Sequence, residues 1–273
     1  MRIGASTLLY LEEDIVTAVN GIAGHGLQTI ELFCELPQLY PGTVSTEELS
    51  RLRTLSTRFG LSYSLHTPCY DLNPASSNPG VRAQTIVQYE QTLELAELLG
   101  SRDVVVHCGH KSDLKIRSAD ALAYSQETLH QVGEKARSLG VRLLVENTGY
   151  GTLGFLTRPE DLLEVVAACP ADTGLLLDTG HAVLQGFNPT LCARTWLPRL
   201  AQIHAHDNLG HRDDHLALGR GVTDWTALLA LLSQEQWSGV FMIEVYDADD
   251  PVMALQESLA VVNGCGRGWA VGR

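Results

Sequence analysis

The stretch HAHDNLGHRDDHLALGRG, His204 to Gly221, places four histidines and three aspartates in eighteen positions. It closes on Gly219 and Gly221, a pair that suits tight backbone turns. Imidazoles and carboxylates at this density either form a solvated loop or hold cations, and a loop seldom completes a coordination shell unaided. Further donors stand singly at the ends of short apolar runs. They are His66, His107, Glu146, Asp178, His204 and Glu244, with His181 three residues beyond Asp178. Asp213 and His215, two apart in the loop, can reach back over the same place. Four carboxylates and five imidazoles crowded together would repel or desolvate one another unless cations were present. Nitrogen and oxygen donors suit zinc or manganese, and also iron, whereas magnesium alone prefers oxygen. His206 and Asp207 can orient such ligands through hydrogen bonds or make local hydrogen bonds within the loop. Tyr70 can stack on a substrate, and Lys111 belongs to the one basic cluster near the rim, with His110, Lys115 and Arg117.

The elements that must position these residues follow from hydrophobic pattern. Short runs rich in β-branched and apolar residues read as strands over Arg2–Ser6, Leu27–Phe33, Leu61–His66, Asp103–His107, Val141–Glu146, Thr173–Asp178, Ala201–His206 and Gly239–Val245. Segments of helical period separate them, among them Val81–Leu99 stopped by Gly100 and Asp120–Leu139 stopped by Gly140. Asp224 is placed to cap a later helix. Continuous apolar strands joined by helices imply a parallel sheet, and eight such units over this length predict one (β/α)₈ TIM barrel spanning residues 1–273. No G-x-G-x-x-G follows the first strand, which removes the dinucleotide reason for an open doubly wound sheet. In such barrels the chemistry lies at the carboxyl ends of the strands, and six of the eight expected strands bring a His, Asp or Glu there. Glu31, on the second strand, is expected to face the mouth or line the barrel floor, and Trp196, Trp225 and Trp237 to pack.

Composition narrows the partners. A formal net charge of −13 repels polyanions over most of the surface. The six cysteines are scattered without a C-x-x-C pair, so they read as reduced core residues, with neither a disulfide framework nor a thiolate zinc site. No apolar stretch has the length of a membrane span and residues 1–9 lack signal-peptide character, so a cytoplasmic protein is expected.

In chain order, SLHTP, VVVHCG, LLVENT, LLLDTGH, IHAHD, DDHLALGRG and MIEV resemble the motifs of the xylose isomerase-like TIM-barrel superfamily. The likeness is greatest to its endonuclease IV branch (AP endonuclease family 2) and covers nearly the whole chain. It implies two or three divalent ions, zinc first: His66 and His107 on one, Glu146 bridging to a second held by Asp178, His204 and Glu244, and His181, Asp213 and His215 on a third. The superfamily's sugar epimerases and isomerases use the central four residues alone, and there the two glutamates, here Glu146 and Glu244, move protons on a sugar. The outlying donors lean toward the multinuclear enzymes. The expected activity is therefore a phosphoester or phosphodiester hydrolase acting at a small phosphorylated sugar or an abasic site, with a one-metal sugar or keto-sugar isomerase or epimerase as the alternative. Two departures speak against duplex DNA. No lysine or arginine lies between Arg2 and Arg51, and TPCYDLNPASSNPG after His66 carries none either. Duplex binding is expected to be weak and salt-sensitive at best.

Overall fold

The computed structural model describes residues 1–247 and 249–265. Strands β1 (Arg2–Ser6), β2 (Thr29–Phe33), β3 (Ser62–His66), β4 (Asp103–His107), β5 (Arg142–Glu146), β6 (Gly174–Asp178), β7 (Leu200–Ala205) and β8 (Val240–Ile243) pair in chain order, all parallel, and β8 closes on β1. This is the expected TIM barrel. Helices α1 (Ile15–Gly24), α2 (Thr46–Phe59), α3 (Pro79–Leu99), α4 (Ser118–Ser138), α5 (Asp161–Ala167), α6 (Thr179–Leu184), α7 (Pro189–Trp196), α8 (Trp225–Gln234) and α9 (Pro251–Cys265) make up the connections and the outer layer.

Helix ends follow local chemistry. Helix α3 begins two residues earlier than its apolar period suggests, because the Asn78 side chain accepts from Gly80 N and Pro79 supplies a preset first turn. It ends at Gly100 in the left-handed conformation, as expected. Helix α4 likewise starts at Ser118, ahead of Asp120. Asp224 caps α8 by accepting from Ala227 N. Strand β2 starts at Thr29 instead of Leu27 and keeps its expected end at Phe33, whereas β8 is shorter than expected at both ends, running from Val240 to Ile243.

The alternation of side chains along each strand decides what reaches the mouth. Val105, Leu144 and Leu176 form a small cluster inside the barrel, separate from the large core in which Val104, Val106, Leu143, Val145, Leu175 and Leu177 meet the helices. Two positions farther along the same strands stand His107, Glu146 and Asp178, so they emerge at the carboxyl mouth. In-register pairing sets His107 beside Glu146 and Asp178 beside His204. The barrel interior is polar elsewhere: Ser64 Oγ and Gln202 Nε2 donate to Glu31 Oε2 at 3.0 and 2.5 Å. Among the described residues no helix is long and apolar enough to cross a membrane.

Candidate metal centre

Three groups of donors meet over the mouth. In the first, His66 and His107 bring Nε2 to 3.2 and 3.7 Å from Glu146 Oε2. His66 Nδ1 lies 2.7 Å from the Thr67 carbonyl, which can only accept, so the proton belongs on Nδ1. The Nε2 lone pair then faces a carboxylate. The same arrangement recurs in His181, with Nδ1 donating to Asn147 O at 2.9 Å and Nε2 3.0 Å from Asp213 Oδ2. It recurs again in His215, whose Nδ1 donates to Glu244 O at 2.9 Å while Nε2 sits 3.3 Å from Asp213 Oδ2. A lone pair set against a carboxylate needs a proton or a cation between them, and a backbone carbonyl on the far nitrogen is the usual way a metal-ligating imidazole is aimed.

The central group reverses the ring. His204 Nε2 is 2.8 Å from Glu31 Oε1, and Nδ1 faces Glu244 Oε2 at 3.2 Å, Glu146 Oε1 at 3.6 Å and Asp178 Oδ2 at 4.0 Å. His204 is fully buried and its Nδ1 has no hydrogen-bond partner. An unpartnered buried nitrogen ringed by three carboxylates fits coordination of a divalent ion through Nδ1.

The third group depends on the His204–Gly221 segment. Asp207 is wholly buried and holds that loop, accepting from Gly219 N at 2.8 Å, Thr223 N at 3.0 Å and Trp225 Nε1 at 2.7 Å. Its backbone also pairs with Leu216. Gly219 has φ +87°, and a Cβ on Gly221 would come 2.3 Å from Asn208 O, so both glycines are required by the path of the chain. His215 itself sits at φ 47°, a conformation few non-glycine residues adopt, and its carbonyl accepts from Tyr246 N. His206 packs beneath, with Nε2 3.0 Å from both Asp178 oxygens and its ring stacked on His215 at 3.9 Å. A Cβ at Gly180 would lie 2.1 Å from His206 Cε1, which accounts for the glycine of LLLDTGH.

Electrostatics point the same way. Burial raises the Glu146 carboxyl, but the neighbouring imidazoles, His204 foremost and His181 by its hydrogen bond, outweigh it and hold it well below the usual carboxylate range. Burial lowers His204, and Glu244, Glu31 and Glu146 reverse this and carry it well above its ordinary value. His215 is pushed up to about 9, burial being overcome by Asp213. His107 goes the other way, down to about 3, through burial and the imidazoles of His66 and His181, so it presents a neutral ring. Here protons on imidazoles balance the carboxylates, and a metal would displace them.

A cavity of about 860 Å³ opens above these groups. Its apolar wall includes Leu8, Leu11, Phe33, Leu184 and Tyr246, and Arg212 is the one Lys or Arg among its lining residues. Tyr70 lines the cavity with its ring edge-on to Phe33. Lys111 does not line it, and its backbone N donates to Leu153 O. Asp207 is likewise absent from the lining; of the two roles the sequence offers it, orienting a ligand or making local hydrogen bonds within the loop, its contacts here are those of the second.

A sequence profile for the xylose isomerase-like TIM barrel matches residues 20–265. The chain belongs to that family. The uncharacterized protein MJ1311 of Methanocaldococcus jannaschii is 33% identical over 279 residues, covering 96% of this chain and 91% of its own. A probable endonuclease 4 of Symbiobacterium thermophilum is 29% identical over 88% of this chain and 91% of its own. The crystal structure of a D-tagatose 3-epimerase-like protein superposes with a TM-score of 0.84 at 30% identity, over 97% of this chain and 99% of that one. This xylose isomerase-like chain is thus similar both to a probable endonuclease 4 and to a D-tagatose 3-epimerase-like protein, and its buried His, Glu and Asp clusters suit the divalent metals typical of the family.

Three contributors are hard to find in sequence. Asn147 ties β5 to β6, its Oδ1 accepting from Asp178 N at 2.9 Å and its Nδ2 donating to Asp178 O at 3.0 Å, and only its place next to Glu146 hints at this. Glu31 reaches His204 from across the barrel, a contact no local pattern signals. Cys69, read from the sequence as a reduced core residue, instead lines the cavity beside His66 and His107. The anchor role of Asp207 is open to test. Asp207→Ala strands the buried Trp225 Nε1 and two part-buried backbone donors, Gly219 N and Thr223 N, so urea unfolding is expected to show a loss of roughly 2–3 kcal/mol. A change below about 0.5 kcal/mol would show that the loop is held some other way.

Proposed function

We propose that this protein is a metal-dependent isomerase or epimerase of a keto-sugar or its phosphate. The observation that carries the reading is the cavity, a concave space of about 860 Å³ with apolar walls and Arg212 as its one Lys or Arg, roomy enough for a sugar or sugar phosphate, onto which Glu146 and Glu244 both open. A divalent ion held by Glu146, Asp178, His204 and Glu244 would polarise the sugar's carbonyl and the neighbouring hydroxyl, acidifying the C–H on the carbon next to the carbonyl. The chain's own residues do the rest. Glu146 and Glu244 come from β5 and the end of β8 and approach the same His204 nitrogen. One carboxylate takes the proton from the carbon, and the other returns one to the opposite face or to the neighbouring carbon. Leu8, Leu11 and Phe33 exclude water, and Tyr70 and Tyr246 offer rings and hydroxyls to the sugar. The 30%-identical D-tagatose 3-epimerase-like structure supports this choice.

Hydrolysis of a small sugar phosphate is the second reading, favoured by one observation: His66 with His107, and His181 with Asp213 and His215, flank the central four residues. Duplex DNA fits less well, because a lining with one arginine offers little to a phosphate backbone. The test is a screen of free ketoses, ketose phosphates and an abasic-site duplex, using zinc- or manganese-loaded and chelator-stripped protein, following both interconversion and ester cleavage. Metal-dependent interconversion without phosphate release is expected. Ester cleavage without interconversion would replace the proposal with the second reading.

His215→Ala separates the readings further. It removes one donor from the outlying group while leaving the central four in place. The expected loss of interconversion is less than about tenfold. A phosphoryl-transfer enzyme would lose on the order of 10²-fold or more with one of its charge-stabilising groups.

A further inference from the structure

We propose that the Cys69 side chain is a thiolate ligand at the His66–His107 position, making it a sulfur-bearing, zinc-selective site distinct from the central one. The donor atoms of His66, Cys69 and His107 all lie within 4.8 Å of one another. In a tetrahedral zinc site a sulfur and a nitrogen ligand stand about 3.6 Å apart, so a small side-chain adjustment brings all three onto one ion. The cysteine is not loosely placed. Buried Glu35 accepts from Cys69 N at 2.6 Å and from Tyr70 N at 2.7 Å, which pins the turn that carries the sulfur. Cys69 is also the one cysteine on the cavity lining, while Cys34, Cys108 and Cys192 are buried. A second observation points to a cation at this spot: His66 is buried, has its Nδ1 proton engaged by Thr67 O, and directs Nε2 at Glu146 Oε2.

When the ion binds, the S–H bond breaks, the S–metal bond forms and the proton leaves to solvent. The donor set becomes two imidazoles, one thiolate and an oxygen of Glu146, which favours zinc. The central set of one imidazole and three carboxylates accepts manganese readily. Two neighbouring positions in one mouth would then sort two metals.

This rests on the metal-centre reading of the mouth, whichever reaction it serves. The experiment loads the full chain with cobalt(II) and records the near-ultraviolet sulfur-to-cobalt charge-transfer band and the cobalt content, for wild type and for Cys69→Ser. Circular dichroism checks that the variant is folded. The expected result is a band in wild type that Cys69→Ser abolishes, with zinc held at least about tenfold more weakly by the variant. Cobalt bound without a band, or a band that survives Cys69→Ser, overturns the thiolate ligand and leaves the metal centre standing. No bound cobalt overturns both. A second measurement on wild type alone guards against an unfolded variant: zinc, but not magnesium, should protect Cys69 from alkylation read by mass spectrometry, and equal alkylation with either metal counts against the proposal.

Discussion

Glu244→Gln is expected to lower sugar interconversion by about 10³-fold or more while leaving the barrel folded. The substitution keeps the shape of the side chain but removes its charge and its ability to take a proton. General acid–base groups contribute about 10²–10⁴-fold on their own, and Glu244 also stands 3.2 Å from His204 Nδ1 in the central donor group. Both roles fail together, so kcat should fall along with central metal content. Steady-state assay with metal analysis checks this, alongside a thermal melt. A variant with near-normal kcat would remove Glu244 from the chemistry and with it the proposed acid–base pair.

Glu31→Ala is expected to cost about 3–5 kcal/mol of stability and to loosen the central metal about 10–100-fold. Glu31 lies fully buried inside the barrel, where it meets His204 Nε2 and accepts from Ser64 and Gln202. Burial opposes its charge, yet the imidazoles of His204 and His66 and the Gln202 hydrogen bond hold its carboxyl below the usual range. Truncation strands that network and frees the ring that aims Nδ1 into the mouth. Denaturant unfolding of the metal-free protein isolates the first effect, and competition with a chelator measures the second. Unchanged metal affinity would mean that His204 is oriented without Glu31.

The strand ends were legible because a parallel barrel strand is buried on both faces, so a polar residue closing an apolar run stands out, as His66, His107, Glu146 and Asp178 do. Period two along the strand then puts these residues on the inner face. Contacts across the barrel were not legible: Glu31 and His204 are distant in sequence, and nothing local to either marks the pairing. The loop was half legible. Its donors and glycines show in the sequence, but the fully buried, triply bonded Asp207 looks there like one more acidic residue among several. The features that weigh hydrolase against isomerase are legible to different degrees for a related reason. Counting donors favours a multinuclear hydrolase, whereas the apolar walls of the cavity come from separate segments around Leu8, Phe33, Leu184 and Tyr246 and gather only in three dimensions.

Proton transfer at carbon is the centre of the account, and solvent exchange tests it most directly. Metal-loaded protein is incubated with a ketose substrate from the screen in deuterium oxide, and the recovered sugar is examined by proton NMR. The account predicts deuterium appearing at the carbon whose configuration or oxidation state changes, and none with Glu244→Gln. Turnover that leaves every carbon-bound hydrogen in place, or that yields free phosphate from a ketose phosphate instead, would contradict it.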